Sequence, residues 1–436
     1  MPFMRAVLRL LAVSTLFGLL SGVAALAFYF GVKASSFILL GVLAGYRAPE
    51  APGEGGEVAW SLGRYWLIPV IAAAGGLAVG LIRRRMGLRE YSTDEVLNAY
   101  HNARRLGLRE TLAGLLASAI TLGSGGSAGA EGPTGRLAAG LASAAARVLK
   151  LRREEARLGL IVSLGAGIGA IFKAPMGGAV LASEILYREG FERGVLYPAL
   201  VASAVSYALF GSVVGFAPIF GGVSIAFDPL YLPLFAALGA IEGGAAVLYV
   251  LWLRRSATIF RAVIKSEVLR PALGGLATGL VGLVAPEVVG PGYGWTYLAL
   301  RGSIGGLPSP LMPIWLLLAL LPLLKILATG LTLGSGEVGG VFIPGIIIGA
   351  FAGLDVGLIF HRILGVPTAP FVLVGMLSLL GAAAKAPLSV TLMVVELTGG
   401  YNALPYAMVA IAVAYLASGK TALFEGQLDE TRQQHN

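Results

Sequence analysis

Stretches without a single charged residue recur along the chain at 10–31, 65–82, 111–130, 194–227, 302–324, 363–384 and 397–419. At about 1.5 Å per residue, each is long enough as a helix for most or all of a bilayer crossing. Two others, 158–172 and 338–354, hold only about three or four helical turns. Helices that stop part-way are predicted there, and broken backbone is tolerated in a membrane only where it faces protein or a polar path. This is the pattern of an all-α polytopic membrane protein.

Composition agrees: of 436 residues 57% are hydrophobic and 13% charged, with a mean hydropathy of +0.83. Sixty-three glycines and 22 prolines favour close helix packing and interrupted helices over a bundle of straight rods. Cysteine is absent and the three histidines, His101, His361 and His435, are scattered, so no metal site is expected. The net charge of +9 follows the positive-inside rule. Arg5 and Arg9 precede the first span and Arg83, Arg84 and Arg85 follow the second, while the loop between the two spans is balanced, which puts the N-terminus in the cytoplasm. The first apolar run exceeds the core of a signal peptide, so it is read as an uncleaved span.

An enzyme is not expected, and no cofactor. The glycine-rich run at 123–129 lacks the Gly-Lys-Ser/Thr of a phosphate loop, and no nucleophile, histidine and acid form a recognisable set. What the chain does carry is an internal repeat. TLGSGGSAGAEGP (121–133) aligns with TLGSGEVGGVFIP (332–344), and KAPMGGAVLASEIL (173–186) with KAPLSVTLMVVELT (385–398); Thr121 and Thr332 stand 211 positions apart, Lys173 and Lys385 212. Two halves, 1–225 and 226–420, followed by a short polar tail, 421–436, are therefore predicted.

If both glycine-rich segments converge, broken helices build one site near the membrane midplane, with half-helix N-termini aimed at an anion. Pro133 and Pro344 suit the first turn of such helices. That would leave the amides around Gly132 and those of Val341 and Phe342 free for a guest. An inverted-repeat symporter for another substrate would use the same architecture. Glu131, however, places one carboxylate in the anion's seat, and its repeat partner is Phe342. A carboxylate without a basic neighbour at bilayer depth marks an ion pathway or a proton relay. It would also cap its own helix.

Ala130-Glu131-Gly132-Pro133 resembles the G-K/R-E-G-P signature of the CLC chloride channels and chloride/proton exchangers, and Gly340-Val341-Phe342-Ile343-Pro344 resembles their G-x-F-x-P. The resemblance covers nearly the whole chain. It implies the CLC-type fold, with two inverted-topology halves of tilted, partly broken helices, and a homodimer with one pore per subunit. It also implies residence in the inner (plasma) membrane of a prokaryote with both termini cytoplasmic. Glu131 would be the gating glutamate, leaving the anion site when protonated or displaced, with Val341 and Phe342 amides coordinating chloride.

Three positions depart from the family's best-known exchangers. Where the first anion motif, G-S-G-I-P, is expected, the chain has Glu90-Tyr91-Ser92-Thr93-Asp94, so Tyr91 or the adjacent Ser92 takes the serine's place. Phe424 stands where a tyrosine commonly holds the central anion, and a phenyl ring cannot donate that bond. Ile185 stands where exchangers often carry an inner glutamate; the neighbouring Glu184 is a candidate for the proton pathway, but its repetition as Glu396 favours a structural role for both acids. The expected function is chloride transport gated by Glu131, with chloride/proton antiport preferred. A passive channel without proton coupling is the alternative that Ile185 and Phe424 favour. Nitrate and fluoride remain open beside chloride as the anion.

Overall fold

Helix ends fall where proline and glycine put them. The computed structural model describes residues 2–223 and 225–430, and among these sixteen α-helices follow one another. They are α1 (Pro2–Ser36, extended by a π-helical stretch, Phe37–Ala44), α2 (Ile68–Met86), α3 (Thr93–His101), α4 (Leu108–Gly123), α5 (Glu131–Val148), α6 (Arg153–Ile171), α7 (Pro175–Glu184) and α8 (Arg193–Val214). Then come α9 (Leu232–Val263), α10 (Leu269–Val284), α11 (Tyr293–Leu300), α12 (Ile314–Gly334), α13 (Phe342–Leu364), α14 (Ala369–Ala384), α15 (Pro387–Thr398) and α16 (Leu404–Ala417). Proline opens α7, α15 and α16 at the first or second position, and left-handed Gly87, Gly365 and Gly399 close α2, α13 and α15. Two short strand pairs, β1 (Tyr46–Arg47) with β2 (Ser61–Leu62) and β3 (Tyr187–Glu189) with β4 (Leu428–Glu430), lie at the margins.

Among the described residues, six helices are long and apolar enough to cross a membrane: those including 7–44, 65–86, 193–214, 229–263, 314–334 and 342–364. Several sequence windows are corrected. The stretch 111–130 is not one span, because α4 stops at Gly123 and Gly125 turns the chain at φ +103. The half-helix expected at 338–354 is instead the 23-residue α13; the apolar window ended at Asp355, a half-buried acid that the helix carries past. Conversely, 363–384 contains only the 16-residue α14.

Contacts between distant parts of the chain come in reciprocal pairs. Gly125 and Gly336, 211 positions apart, turn the chain identically after α4 and α12, at φ +103 and +102. Each ensuing loop donates an amide to a threonine of the other's preceding helix: Ser127 N to Thr332 Oγ1 at 3.0 Å and Val338 N to Thr121 Oγ1 at 3.3 Å. Gly129 and Gly340 exchange both backbone hydrogen bonds, at 2.8 and 2.7 Å. Farther off, Glu184 accepts from the amides of Leu388 and Ser389 at the start of α15, while Glu396 accepts from those of Met176 and Gly177 at the start of α7. Lys173 and Lys385, just before those helices, share a left-handed backbone, at φ 55 and 53.

The expected tail is only partly one. Ala422 and Phe424 are buried, Leu423 N donates to Ala383 O at 2.8 Å, and Gly426 N donates to Asp94 Oδ1 at 2.8 Å. Residues 431–436 of that tail, His435 with them, lie outside the described residues.

Candidate functional site

The two glycine-rich loops bring the starts of α5 and α13 together, and Glu131 lies between them. It is the first residue of α5 and is fully buried. Its Oε1 accepts from Phe342 N at 2.7 Å and from Ile343 N at 3.3 Å, while among the described residues none donates to Oε2. The carboxylate of one broken segment thus sits on the N-terminus of the helix that follows the other. Free first-turn amides and the helix dipole favour a negative charge there, and the carboxylate oxygen stands in for a bound anion.

Glycine makes the approach possible. A Cβ on Gly340 would lie 2.2 Å from Glu131 Oε1, and one on Gly129 2.1 Å from Oε2. Gly132 is equally confined: a Cβ there would meet the Cα of Gly340 at 3.3 Å and the hydroxyl of Thr93 at 3.4 Å.

The amides engaged are those of Phe342 and Ile343, one residue beyond the pair read from sequence. Val341 is the residue before the helix, and its carbonyl accepts from the Tyr249 hydroxyl at 2.8 Å. Pro344 lies in the first turn as expected, at the third position, so the helix and its free amides begin at Phe342. Tyr249 had no signal of its own in the sequence, since its position depends on how α9 crosses the start of α13.

Tyr91 is buried, with its ring against Gly114 and its hydroxyl directed at Pro133 O, 3.3 Å away. Ser92 caps α3, accepting from Glu95 N at 3.3 Å, and lies 3.0 Å from Glu90 Oε1. Both hydroxyls are therefore engaged away from Glu131. The hydroxyl facing the Gly132–Gly340 neck belongs to Thr93, the next residue along. Phe424 does reach the site: its ring lies 5.5 Å from that of Phe342, and both are buried.

Glu184 lies elsewhere, at the end of α7, with both oxygens committed: Oε1 accepts from Leu388 N at 3.0 Å, Oε2 from Ser389 N at 2.8 Å and Ser389 Oγ at 2.7 Å. Ile185 beside it is fully buried. Behind the start of α5, Arg136 is completely buried. Its guanidinium binds Glu95 through two bonds, at 2.5 and 3.0 Å, donates to Thr111 Oγ1 at 3.0 Å and lies 5.0 Å from the Tyr91 ring centre.

A cavity of about 640 Å³ reaches Ala130, next to Glu131. At roughly 30 Å³ per water it admits a hydrated ion with room to spare. Three cations, Lys33, Arg47 and Lys173, and three acids, Glu50, Glu54 and Glu57, line it, so its charge is balanced. The loop around Gly53 forms part of its wall, held by Lys173 Nζ on Gly53 O at 2.8 Å.

Residues 75–419 match the family model described as voltage gated chloride channel. An uncharacterized protein of Methanocaldococcus jannaschii is 31% identical over 362 residues, 82% of this chain and 86% of the relative. A putative chloride channel protein ClcB-like of Ralstonia nicotianae is 31% identical over 377 residues, 82% and 83% of the two chains. The voltage-gated ClC-type chloride channel ClcB of Salmonella typhimurium is 29% identical, with 94% and 96% covered. The fold is similar to that of a CLC-type fluoride/proton antiporter, with a TM-score of 0.78, 20% identity and 98% of each chain covered. It is equally similar to a slow cyanobacterial Cl⁻/H⁺ antiporter, at a TM-score of 0.78, 19% identity and 94% coverage of each. A family match over most of the chain joins two broken helices meeting at a carboxylate: this chain belongs to the voltage-gated chloride channel family.

Proposed function

We propose that the chain carries chloride across the membrane through the seat now held by Glu131, in exchange for protons. The observation that carries this reading is the Glu131 carboxylate on the amides of Phe342 and Ile343. An anion and this carboxylate compete for the same donors; protonation removes the charge that holds the side chain there and frees the seat. One group thus responds to both ions, which is the minimum requirement for coupling them. The fixed donors of α13 are the cradle, and Glu131 is the gate. Thr93 beside Gly132 and the Phe424 ring beside Phe342 would line the anion's approach on one side, and the cavity that reaches Ala130 would serve another.

The chain would work as two halves, 1–225 and 226–420, inserted in opposite senses, a reading favoured by the reciprocal contacts between the repeated segments. It would form a homodimer in a prokaryotic plasma membrane, with both termini in the cytoplasm. The named chloride channel relatives make chloride the anion of choice, ahead of nitrate or fluoride. The second reading, a passive chloride channel, draws on Ile185 and Phe424.

The test is ion flux in liposomes. Wild type is expected to take up chloride on an imposed proton gradient, and Glu131→Gln to pass chloride without moving protons. A reversal potential that follows the chloride gradient alone would select the channel. Chloride flux indifferent to Glu131→Gln and Glu131→Ala would reject both.

A further inference from the structure

The second glycine-rich loop carries an acid of its own. Glu337 occupies the repeat position of Gly126 and is 5% exposed, and among the described residues the Thr121 hydroxyl alone is placed to donate to it. The Thr121 hydroxyl of α4 stands beside it, Gly275 of α10 is so close that a Cβ there would lie 3.1 Å from Oε1, and Gly275 in turn packs on Ala72 of α2. Among the described residues no charged side chain faces it. Arg83, farther along α2, donates instead to the carbonyls of Gly336 and Arg89, both at 2.9 Å. A carboxylate with a single hydroxyl beside it and no counter-charge is costly to bury; a carboxylic acid is far less so. Glu242 and Glu287 are also buried, and no other described residue donates to them, but Glu242 lies on α9 and Glu287 in the turn after α10, outside the repeated glycine-rich segments.

Position gives Glu337 its meaning. It lies three residues before Gly340, whose backbone bonds hold Gly129, and the carbonyl of the preceding Gly336 accepts from Arg83 near the C-terminal end of α2, whereas residues of β1 and β2 line the 640 Å³ cavity. Buried hydroxyls cluster around the paired loops that carry the two acids. Thr121 and Thr332 flank Gly126, Thr332 lies 2.9 Å from Thr278, and Ser127 lies 3.1 Å from Thr329. Ser127 belongs to the loop that ends at Glu131.

We propose that Glu337 is a second proton-binding carboxyl of the transport unit, filled from the side of Arg83 and exchanging its proton with Glu131. In each transfer one proton leaves the Glu337 carboxyl and one arrives at the Glu131 carboxylate once it has swung off the amides of α13. Intervening hydroxyls accept one proton and release another, so no other reactant is consumed. The exchange of protons between the two acids rests on the chloride/proton reading above; the binding of a proton by Glu337 does not.

Two measurements on the full chain in lipid separate these statements. Infrared difference spectra over a pH titration are expected to show a carboxylic C=O component in wild type and in Glu131→Gln that Glu337→Gln lacks. An unchanged spectrum in Glu337→Gln overturns the assignment. In liposomes, chloride-driven proton uptake is expected to fall at least about a hundredfold in Glu337→Gln, the lower end of what a positioned proton donor contributes, with chloride flux retained. Coupled uptake at the wild-type rate refutes the relay. If wild type itself moves no protons, the exchange reading fails, and the infrared spectrum alone decides whether Glu337 holds one.

Discussion

Replacing Glu131 by alanine removes the tethered competitor and leaves its donors in place. The tether consists of one short hydrogen bond, 2.7 Å from Phe342 N, and one long one, 3.3 Å from Ile343 N. A hydrogen bond to a charged group contributes about 1.5–3 kcal/mol net, and the longer bond falls well below that range, so the tether is held by roughly 2–3 kcal/mol. At about 1.4 kcal/mol per tenfold, an anion that no longer has to displace it should bind roughly 30–150 times more tightly. Calorimetric titration of chloride into purified wild type and Glu131→Ala measures this directly. The variant should also lose the pH dependence of binding: in wild type, acid neutralises the carboxylate and should raise apparent chloride affinity. An affinity within about threefold of wild type, with pH dependence kept, would mean that the carboxylate does not occupy the anion's seat, and the proposed gate would fall.

Other consequences can be measured separately. Phe424→Tyr adds a hydroxyl beside Phe342; if Phe424 lines the anion's approach, chloride affinity should rise by up to about tenfold, one ordinary hydrogen bond. Glu184→Gln and Glu396→Gln each weaken a carboxylate cap on a helix start, and each should cost about 1–3 kcal/mol in thermal or denaturant unfolding, while chloride flux per folded molecule is retained. Loss of coupled proton flux in Glu184→Gln at intact stability would instead make that residue part of the proton path. Glu95→Gln strands the buried Arg136 without its counter-charge and should cost about 3 kcal/mol, the low end for a broken buried pair because Glu95 is partly exposed. Arg136→Lys should not rescue, since one ammonium cannot reproduce the fork between Glu95 and Thr111.

The site was legible where chemistry repeats in short words. Glu131 stood out because its copy is Phe342, and the KAP segments showed two acids in one register, which the structure finds capping each other's helices. Geometry not encoded in words was harder. Ile343 is not legible because a proline's fixed φ suits any position of the first turn, so Pro344 marks the turn without fixing which residue opens the helix. Thr93 escaped because motif alignment pointed to Tyr91 and Ser92, whose hydroxyls the fold spends on Pro133 and on the cap of α3. The full length of α13 was hidden by Asp355, since hydropathy windows end at a charge whether or not the helix does. Glu337 stood inside the very motif that revealed the repeat, and a comparison tuned to matches passed over a difference.

The exchanged caps of Glu184 and Glu396 have an evolutionary corollary. A contact in which each side gives a carboxylate and receives one is self-complementary: a chain of half the length carries both parts of the clasp. Two identical copies, inserted head up and head down, would close it twice, along with the paired glycines and the crossed threonine bonds. The association of such an ancestor would have needed no new surface after the copies fused. Fusion would have freed each copy to diverge, and Glu131 opposite Phe342 and Glu337 opposite Gly126 are two of the many positions at which the repeated segments differ.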